Sequence, residues 1–321
     1  MSIESRLAAK KRSLKARKKA KIKSAMELAL IILIPVVILV VVFLVLDYMQ
    51  SKINDYSKYI TKQGTIEDYD ISKEITLPDL DNMGITYDTF LPTDTAIESR
   101  IVSEIKTAVK GEDEDDETEE QIKAKYLAKF TDANVEEFFG EMLGDKYAHT
   151  TDGYRQYIKD LLQKSNYNNT LDTKIREYLN NGTTFNSLPK KFVKNWVQIS
   201  TNEAKEYFES FKEYYGVSSV YELYGGKKEF KKAMEASAED TVKSYLLYLA
   251  VYEKLGLSYT QEGLDKYINE HFVTESKSRE DAVELYGEPY LLMGYKIHMA
   301  TDALKEKVPA PEASDEEKKA E

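Results

Sequence analysis

The run from Leu28 to Leu46 constrains this chain more than any other feature. It holds 19 consecutive uncharged residues, 17 of them Leu, Ile, Val or Phe, with Ala29 and Pro35 as the exceptions. At a rise of 1.5 Å per residue the run spans roughly 28 Å, close to the ~30 Å hydrocarbon core of a bilayer. Each residue favours insertion by roughly 0.3–0.6 kcal/mol near the helix centre, on the order of 5–10 kcal/mol in sum, against about 3 kcal/mol for a proline in a helix interior. The sequence therefore predicts a single transmembrane helix from Leu28 to Leu46, within a membrane segment at 27–47. A buried helix of a soluble domain rarely runs this far without a polar residue. A cleaved signal peptide has a shorter apolar stretch, roughly 7–15 residues, and a small-residue cleavage site, whereas this run passes straight into Asp47, Tyr48 and Met49. An uncleaved signal anchor is the better reading.

The flanks set the orientation. Ahead of the run, in a basic segment at 1–26, stand Arg6, Lys10, Lys11, Arg12, Lys15, Arg17, Lys18, Lys19, Lys21 and Lys23 against the single acid Glu4. Cations of this kind stay in the cytoplasm, so the rest of the chain is expected outside, at the cell membrane as a single-pass protein. The net charge is −11 overall and +9 through residue 26, which leaves −20 on the far side. So acidic an exterior argues against nucleic acid as a partner. The basic segment is expected to meet anionic lipid of the bilayer. The chain has no cysteine, which excludes disulfides, thiolate chemistry and a lipid-modified cysteine and suits a bacterial envelope.

Beyond the membrane, a juxtamembrane region at 48–110 carries Pro78, Gly84, Pro92 and many Asp and Thr residues. Short strands or irregular structure are expected there rather than long helices. An acidic linker at 111–121 follows, with eight acids among the nine residues Glu112 to Glu120; it lacks the spaced ligands and turn glycine of a calcium loop and reads as a solvated segment. A helical domain is expected over 122–308. Ala204, Tyr207, Phe208, Phe211, Tyr214 and Tyr215 form a stripe on one helix face, with a capping box of Ser200 and Glu203 at its start and Gly216 as its stop. A second helix is expected from Glu229 to Leu255 with Val242, Tyr245, Leu246, Leu249 and Tyr252 inward and Gly256 at its end. A third is capped by Ser258 or Thr260 and carries Leu264, Tyr267 and Ile268. A last begins near Pro289 and carries Leu292, Tyr295, Met299 and Leu304. The charged tail at 309–321 is expected to be disordered. The fold class is mainly α: one transmembrane helix, then an elongated helical extracytoplasmic domain with a small irregular or β juxtamembrane part.

Residues that carry chemistry are sparse. The three histidines, His149, His271 and His298, stand at no metal-ligand spacing, and there is no nucleophile elbow, phosphate-cradling loop or dinucleotide fingerprint. No metal, cofactor or catalytic residue is expected. The 24 tyrosines are more informative, because a large apolar ring with a polar tip serves both a helical core and a half-exposed contact surface. Tyr290, Leu291 and Met293 fall off the inferred core stripe of the last helix and are the candidates for exposed contact with clients.

Several stretches resemble the carboxy-terminal chaperone domain of trigger factor, which is related to the amino-terminal helical domain of SurA-type chaperones. They are Phe130-Thr-Asp-Ala-Asn-Val-Glu-Glu137, Thr151-Asp-Gly-Tyr-Arg-Gln-Tyr-Ile158, Ser187-Leu-Pro-Lys-Lys-Phe-Val193, Tyr245-Leu-Leu-Tyr-Leu-Ala-Val-Tyr-Glu-Lys-Leu-Gly-Leu257, Thr260-Gln-Glu-Gly-Leu-Asp265 and Tyr286-Gly-Glu-Pro-Tyr-Leu-Leu292. The resemblance runs from about Phe130 to Lys307. It implies the client-holding part alone, because the Gly-Phe-Arg tripeptide of the family's ribosome-binding loop is absent and Gly153-Tyr-Arg155 lies in the wrong region. No prolyl isomerase module is recognisable ahead of Phe130, so an enzyme is not expected. The expected function is that of a membrane-anchored holdase for unfolded or translocating polypeptides. The alternatives are an envelope scaffold that holds one partner and, behind it, a prolyl isomerase. The oligomeric state is left open.

Overall fold

The computed structural model describes residues 54–110 and 117–308. The expected membrane helix Leu28 to Leu46 and the basic segment ahead of it lie outside the described residues, as does the tail from 309. Among the described residues no helix is long and apolar enough to cross a membrane. In chain order the elements are α1 (Ile71–Glu74), β1 (Ile75–Thr76), a 3₁₀ turn (Tyr87–Phe90), α2 (Asp94–Ala108), α3 (Glu119–Leu127), α4 (Asp132–Leu143), α5 (Thr151–Gly182), β2 (Thr184–Phe185), α6 (Lys190–Tyr215), α7 (Val220–Leu223), α8 (Lys227–Lys254), α9 (Gln261–His271), α10 (Arg279–Tyr286) and α11 (Glu288–Glu306). The strands pair antiparallel, Ile75 opposite Phe185 and Thr76 opposite Thr184. The described residues divide into two compact units, one of Ser57–Trp196 with 235–308, the other of Val197–Met234 with 54–56.

The mainly α expectation holds, and many ends obey local chemistry. Hydroxyls of Thr93, Thr131, Thr150 and Thr260 accept the third backbone N–H of α2, α4, α5 and α9, each such cap contributing about 1 kcal/mol. Gly216 and Gly256, expected as stops, both sit at φ +63° just past α6 and α8. Pro289 lies in the first turn of α11. Val242, Leu246, Leu249 and Tyr252 are buried as expected.

Within the larger unit, α5 joins two cores. Its amino-terminal half places Tyr154 and Ile158 against Ile97, Ile101 and Ile105 of α2, Tyr126 of α3 and Val135, Phe139 and Leu143 of α4. The Tyr154 and Phe139 rings stack with centroids 4.4 Å apart. The carboxy-terminal half places Tyr167, Leu171, Ile175 and Leu179 against Leu247, Tyr248, Val251 and Tyr252 of α8 and Ala300 and Leu304 of α11. Leu80, Met83 and Phe90, from the irregular segment, fill the same core. Polar groups on α5 hold that segment in place: Gln163 donates to the Tyr87 carbonyl at 2.9 Å, Asn166 to that of Phe90 at 3.1 Å and Tyr178 to that of Asp79 at 2.7 Å.

Three expectations are corrected. The region at 48–110 contains a 15-residue helix, α2, because Ile97, Ile101 and Ile105 recur every fourth residue behind the Thr93 cap; the prolines and glycines lie ahead of it. The acidic linker at 111–121 gives way at its end to α3, where Thr118 and Gln121 form a capping box and Glu119 and Glu120 sit in the first turn, the end at which the helix dipole favours negative charge. Ser200 and Glu203 do not begin a helix, since α6 starts ten residues earlier at Lys190 and Val193 N–H already donates to the Pro189 carbonyl.

A tight hairpin at 59–67, closed by an Ile60–Ile66 bridge, docks on α11. Its Gly64 has φ +65°, and a Cβ there would come within 3.0 Å of the Met293 backbone nitrogen. The buried Lys296 ammonium donates to the Gln63 carbonyl at 2.7 Å and lies 5.0 Å from the Tyr252 ring centroid. Burial holds the Lys296 amine below its ordinary value, with Glu253 opposing. Ser57 donates to the Tyr286 carbonyl at 2.8 Å and accepts from the Tyr290 N–H at 3.3 Å.

Leu246→Ala should lower stability by roughly 2–5 kcal/mol, and Gly64→Ala should loosen the hairpin from α11, read as faster amide exchange over 57–67. Alkali should also weaken the fold. Burial, followed by the charge of Tyr290, pushes the Tyr267 phenol up to about 12. The unfolded chain therefore loses this proton first, near pH 10, and stability falls as pH rises from there to 12. Tyr267→Phe should flatten part of that slope in denaturant titrations at several pH values.

Candidate functional site: an exposed aromatic face on the 197–234 unit

The smaller unit has its own short core. Phe208 of α6, Val220 of α7 and Phe230 and Met234 of α8 are buried together, with Val197, Ala204, Tyr215, Val217, Tyr221 and Ala233 packed around them. Two tight turns, after α6 and between α7 and α8, fold the helices over this core, the second closed by Gly226 N–H donating to the Tyr221 carbonyl at 2.7 Å. Tyr221 and Tyr224 meet the Phe230 ring edge-on at 5.3 and 5.1 Å.

The stripe read from the sequence on α6 splits into two faces. Phe208 is buried, whereas Tyr207, Phe211 and Tyr214 are 58%, 48% and 87% exposed. At about 100° per residue, Ala204, Phe208 and Tyr215 point one way and Tyr207, Phe211 and Tyr214 lie roughly 70° around the helix. Only the first set is covered, because the core that α7 and the start of α8 supply is narrow. The outer rings gather rather than scatter: Tyr207 and Phe211 have centroids 4.7 Å apart, and Tyr214 and Tyr215 5.6 Å. A hydrogen bond with Tyr207 is the main cause that raises the Tyr215 phenol above its ordinary value, so that phenol is neutral at physiological pH. Leu223 and Tyr224 add 42% and 38% exposed surface. A charged frame surrounds the rings, with Lys212 paired to Glu209 at 2.8 Å on the same helix.

The residues expected to make exposed contacts lie elsewhere. Leu291 and Met293 are buried, at 0% and 1% exposure, so they cannot present a surface and that expectation is corrected. The physical reason is that α11 is covered on more than one side. Leu291 and Leu292 pack with Leu264 and Ile268 of α9 and Ala282 of α10, while the 59–67 hairpin lies against Leu292 and Met293. The first turns of α11 are therefore core, while its later turns carry the half-exposed pair His298 and Asp302. Tyr290 is half-buried: its hydroxyl lies 3.2 Å from that of Tyr245, and its ring stacks on Tyr286 at 5.9 Å. Lys10, Lys11, Arg12, Lys15, Arg17, Lys18, Lys19, Lys21 and Lys23, like Leu28 and Leu46, lie outside the described residues. Among the described residues no three His, Asp or Glu side chains are placed to hold a metal; His149 pairs with Glu136 and His298 with Asp302.

Long helices packed around separate apolar cores, with an aromatic face left uncovered on α6, define a mainly helical domain. Residues 150–309 match the family model described as the bacterial trigger factor protein (TF) C-terminus, and through them the chain belongs to the trigger factor C-terminal-like superfamily. At the level of that family the match indicates a chaperone-like role in binding unfolded polypeptide. No curated protein and no solved structure matches the chain.

Melting curves should separate the faces. Phe208→Ala should lower stability by roughly 3–5 kcal/mol and Leu291→Ala by roughly 2–5 kcal/mol, whereas Tyr214→Ala should stay within about 0.5 kcal/mol of the parent.

Proposed function

We propose that this protein is a membrane-anchored extracytoplasmic holdase. It shields apolar segments of unfolded or newly translocated polypeptides on the aromatic face of Tyr207, Phe211 and Tyr214, without covalent chemistry. The observation that carries the reading is this exposed ring cluster within the stretch that matches the trigger factor family. Tyrosine suits such a task, since its ring contributes apolar area to contact while its hydroxyl keeps the empty surface hydrated. The anchor is supported by the apolar run from Leu28 to Leu46 and the ten cations ahead of it. With a cytoplasmic amino-terminus, the helical domain stands where translocated chains emerge unfolded.

Two measurements test the proposal. Replacement of Tyr207, Phe211 and Tyr214 together by Ser should leave the melting temperature within a few degrees of the parent but weaken suppression of aggregation of a chemically denatured client several-fold. Full suppression by the triple variant would remove the aromatic face from the function, and no suppression by the parent protein would remove the holdase. Protease added to intact spheroplasts should digest the domain and spare the amino-terminal segment; protection of the domain would overturn the topology.

A further inference from the structure

The two-stranded ladder leaves one edge of β1 unused. Asn186 N–H donates to the Glu74 carbonyl at 2.8 Å, and in the register of Ile75 opposite Phe185 this turns Glu74 and Thr76 toward β2 and Ile75 and Leu77 away from it. The Ile75 N–H is taken by the Ile71 carbonyl at the end of α1. The Ile75 carbonyl and the Leu77 N–H remain, one acceptor and one donor on the outer edge, and among the described residues neither has a backbone partner. Beside them lies a groove of about 570 Å³, lined by Ile71, Ile75, Leu77 and Ala250 with Ser72, Thr76, Glu253 and Lys254 also in its wall. Ile71, Ile75 and Ala250 are buried at its floor.

We propose that this groove takes an extended segment of an unfolded client polypeptide as an added strand between β1 and α8. The identification of the occupant as a client rests on the holdase reading. The chemistry of the walls selects it. A strand edge that offers one donor and one acceptor flanking Thr76 is complementary to the backbone of an extended chain in either direction and indifferent to its sequence. The apolar floor accepts a side chain such as Val or Leu from such a chain. The carboxylate of Glu253 in the wall favours a Lys or Arg beside it: burial raises that carboxyl above its ordinary value, with Lys296 opposing and Asp70 adding, so the charge of Lys296 does not make up for the lost solvation and a client cation would add to it. The groove belongs to the larger unit and is made by different residues from the aromatic face. It reads backbone where the rings read apolar side chains.

The test uses the full-length chain in detergent and a fluorescein-labelled heptapeptide of alternating valine with one central lysine. Fluorescence anisotropy should show binding to the parent protein, and N-methylation of alternate peptide amides should weaken it at least tenfold. Glu253→Gln should lower affinity for the lysine peptide severalfold and leave a glutamine version unchanged. Because the chain has no cysteine, Ser72→Cys carrying a benzophenone should cross-link the peptide, and unlabelled parent peptide should compete where its N-methylated form does not. The groove assignment is overturned by absence of peptide binding, by equal affinity for the N-methylated peptide, or by cross-linking that both peptides displace alike. Aggregation suppression is scored on the same samples. Loss of suppression with amide-dependent binding retained would overturn the holdase and keep the groove, whereas suppression without amide dependence would overturn only the groove.

Discussion

The apolar seam along α5 is the interaction on which the larger unit depends. Tyr154, Ile158, Tyr167, Leu171, Ile175 and Leu179 recur mostly every fourth residue along this 32-residue helix, so a single helix carries apolar surface into two separate cores. Isolated, so polar a helix would have little reason to persist; its stability comes from the face it buries. The elements that meet it arrive from both ends of the unit in sequence: α2 to α4 on one half, α8 and α11 on the other. Remove the seam and neither core has its central wall.

The same helix explains how irregular chain becomes ordered. From Leu77 to Phe90 there is almost no regular structure, and backbone carbonyls without helix or sheet partners must be satisfied some other way. Gln163, Asn166 and Tyr178 reach out from α5 to do this, while Leu80, Met83 and Phe90 enter the core beside it. The 59–67 hairpin uses a parallel device on α11, where Lys296 gives its proton donors to a backbone carbonyl and its charge to a tyrosine face. In both places a long helix supplies side-chain donors to a segment that could not fold alone.

Two kinds of binding chemistry follow from what these cores leave uncovered. On the smaller unit the core is too narrow to cover the whole apolar arc of α6, so three rings stay in solvent at the turn of the hairpin. On the larger unit a two-residue strand is paired on one side only, and its free edge borders an apolar groove. Both surfaces suit reversible contact with chains of varied sequence, one through side chains and one through backbone.

Local chemistry was legible without the structure wherever neighbours in sequence decide the outcome. The helical class, the ends at Gly216 and Gly256, the Thr260 cap, the first-turn Pro289 and the inward face of Val242, Leu246 and Leu249 each follow from propensity, capping and the 3.6-residue period. The apolar run from Leu28 to Leu46 and its basic flank are likewise properties of the sequence alone. What only the tertiary structure decided is which apolar faces find a partner. Leu291 and Met293 looked free because one stripe on α11 accounted for a core, yet α9, α10 and a hairpin more than two hundred residues earlier in the chain cover the other sides. Tyr207, Phe211 and Tyr214 looked buried because they continued the Phe208 stripe, yet α7 and the start of α8 are too small to reach them. Periodicity states which face of a helix is apolar; the number and size of the elements that pack against it determine how much of that face is hidden from water.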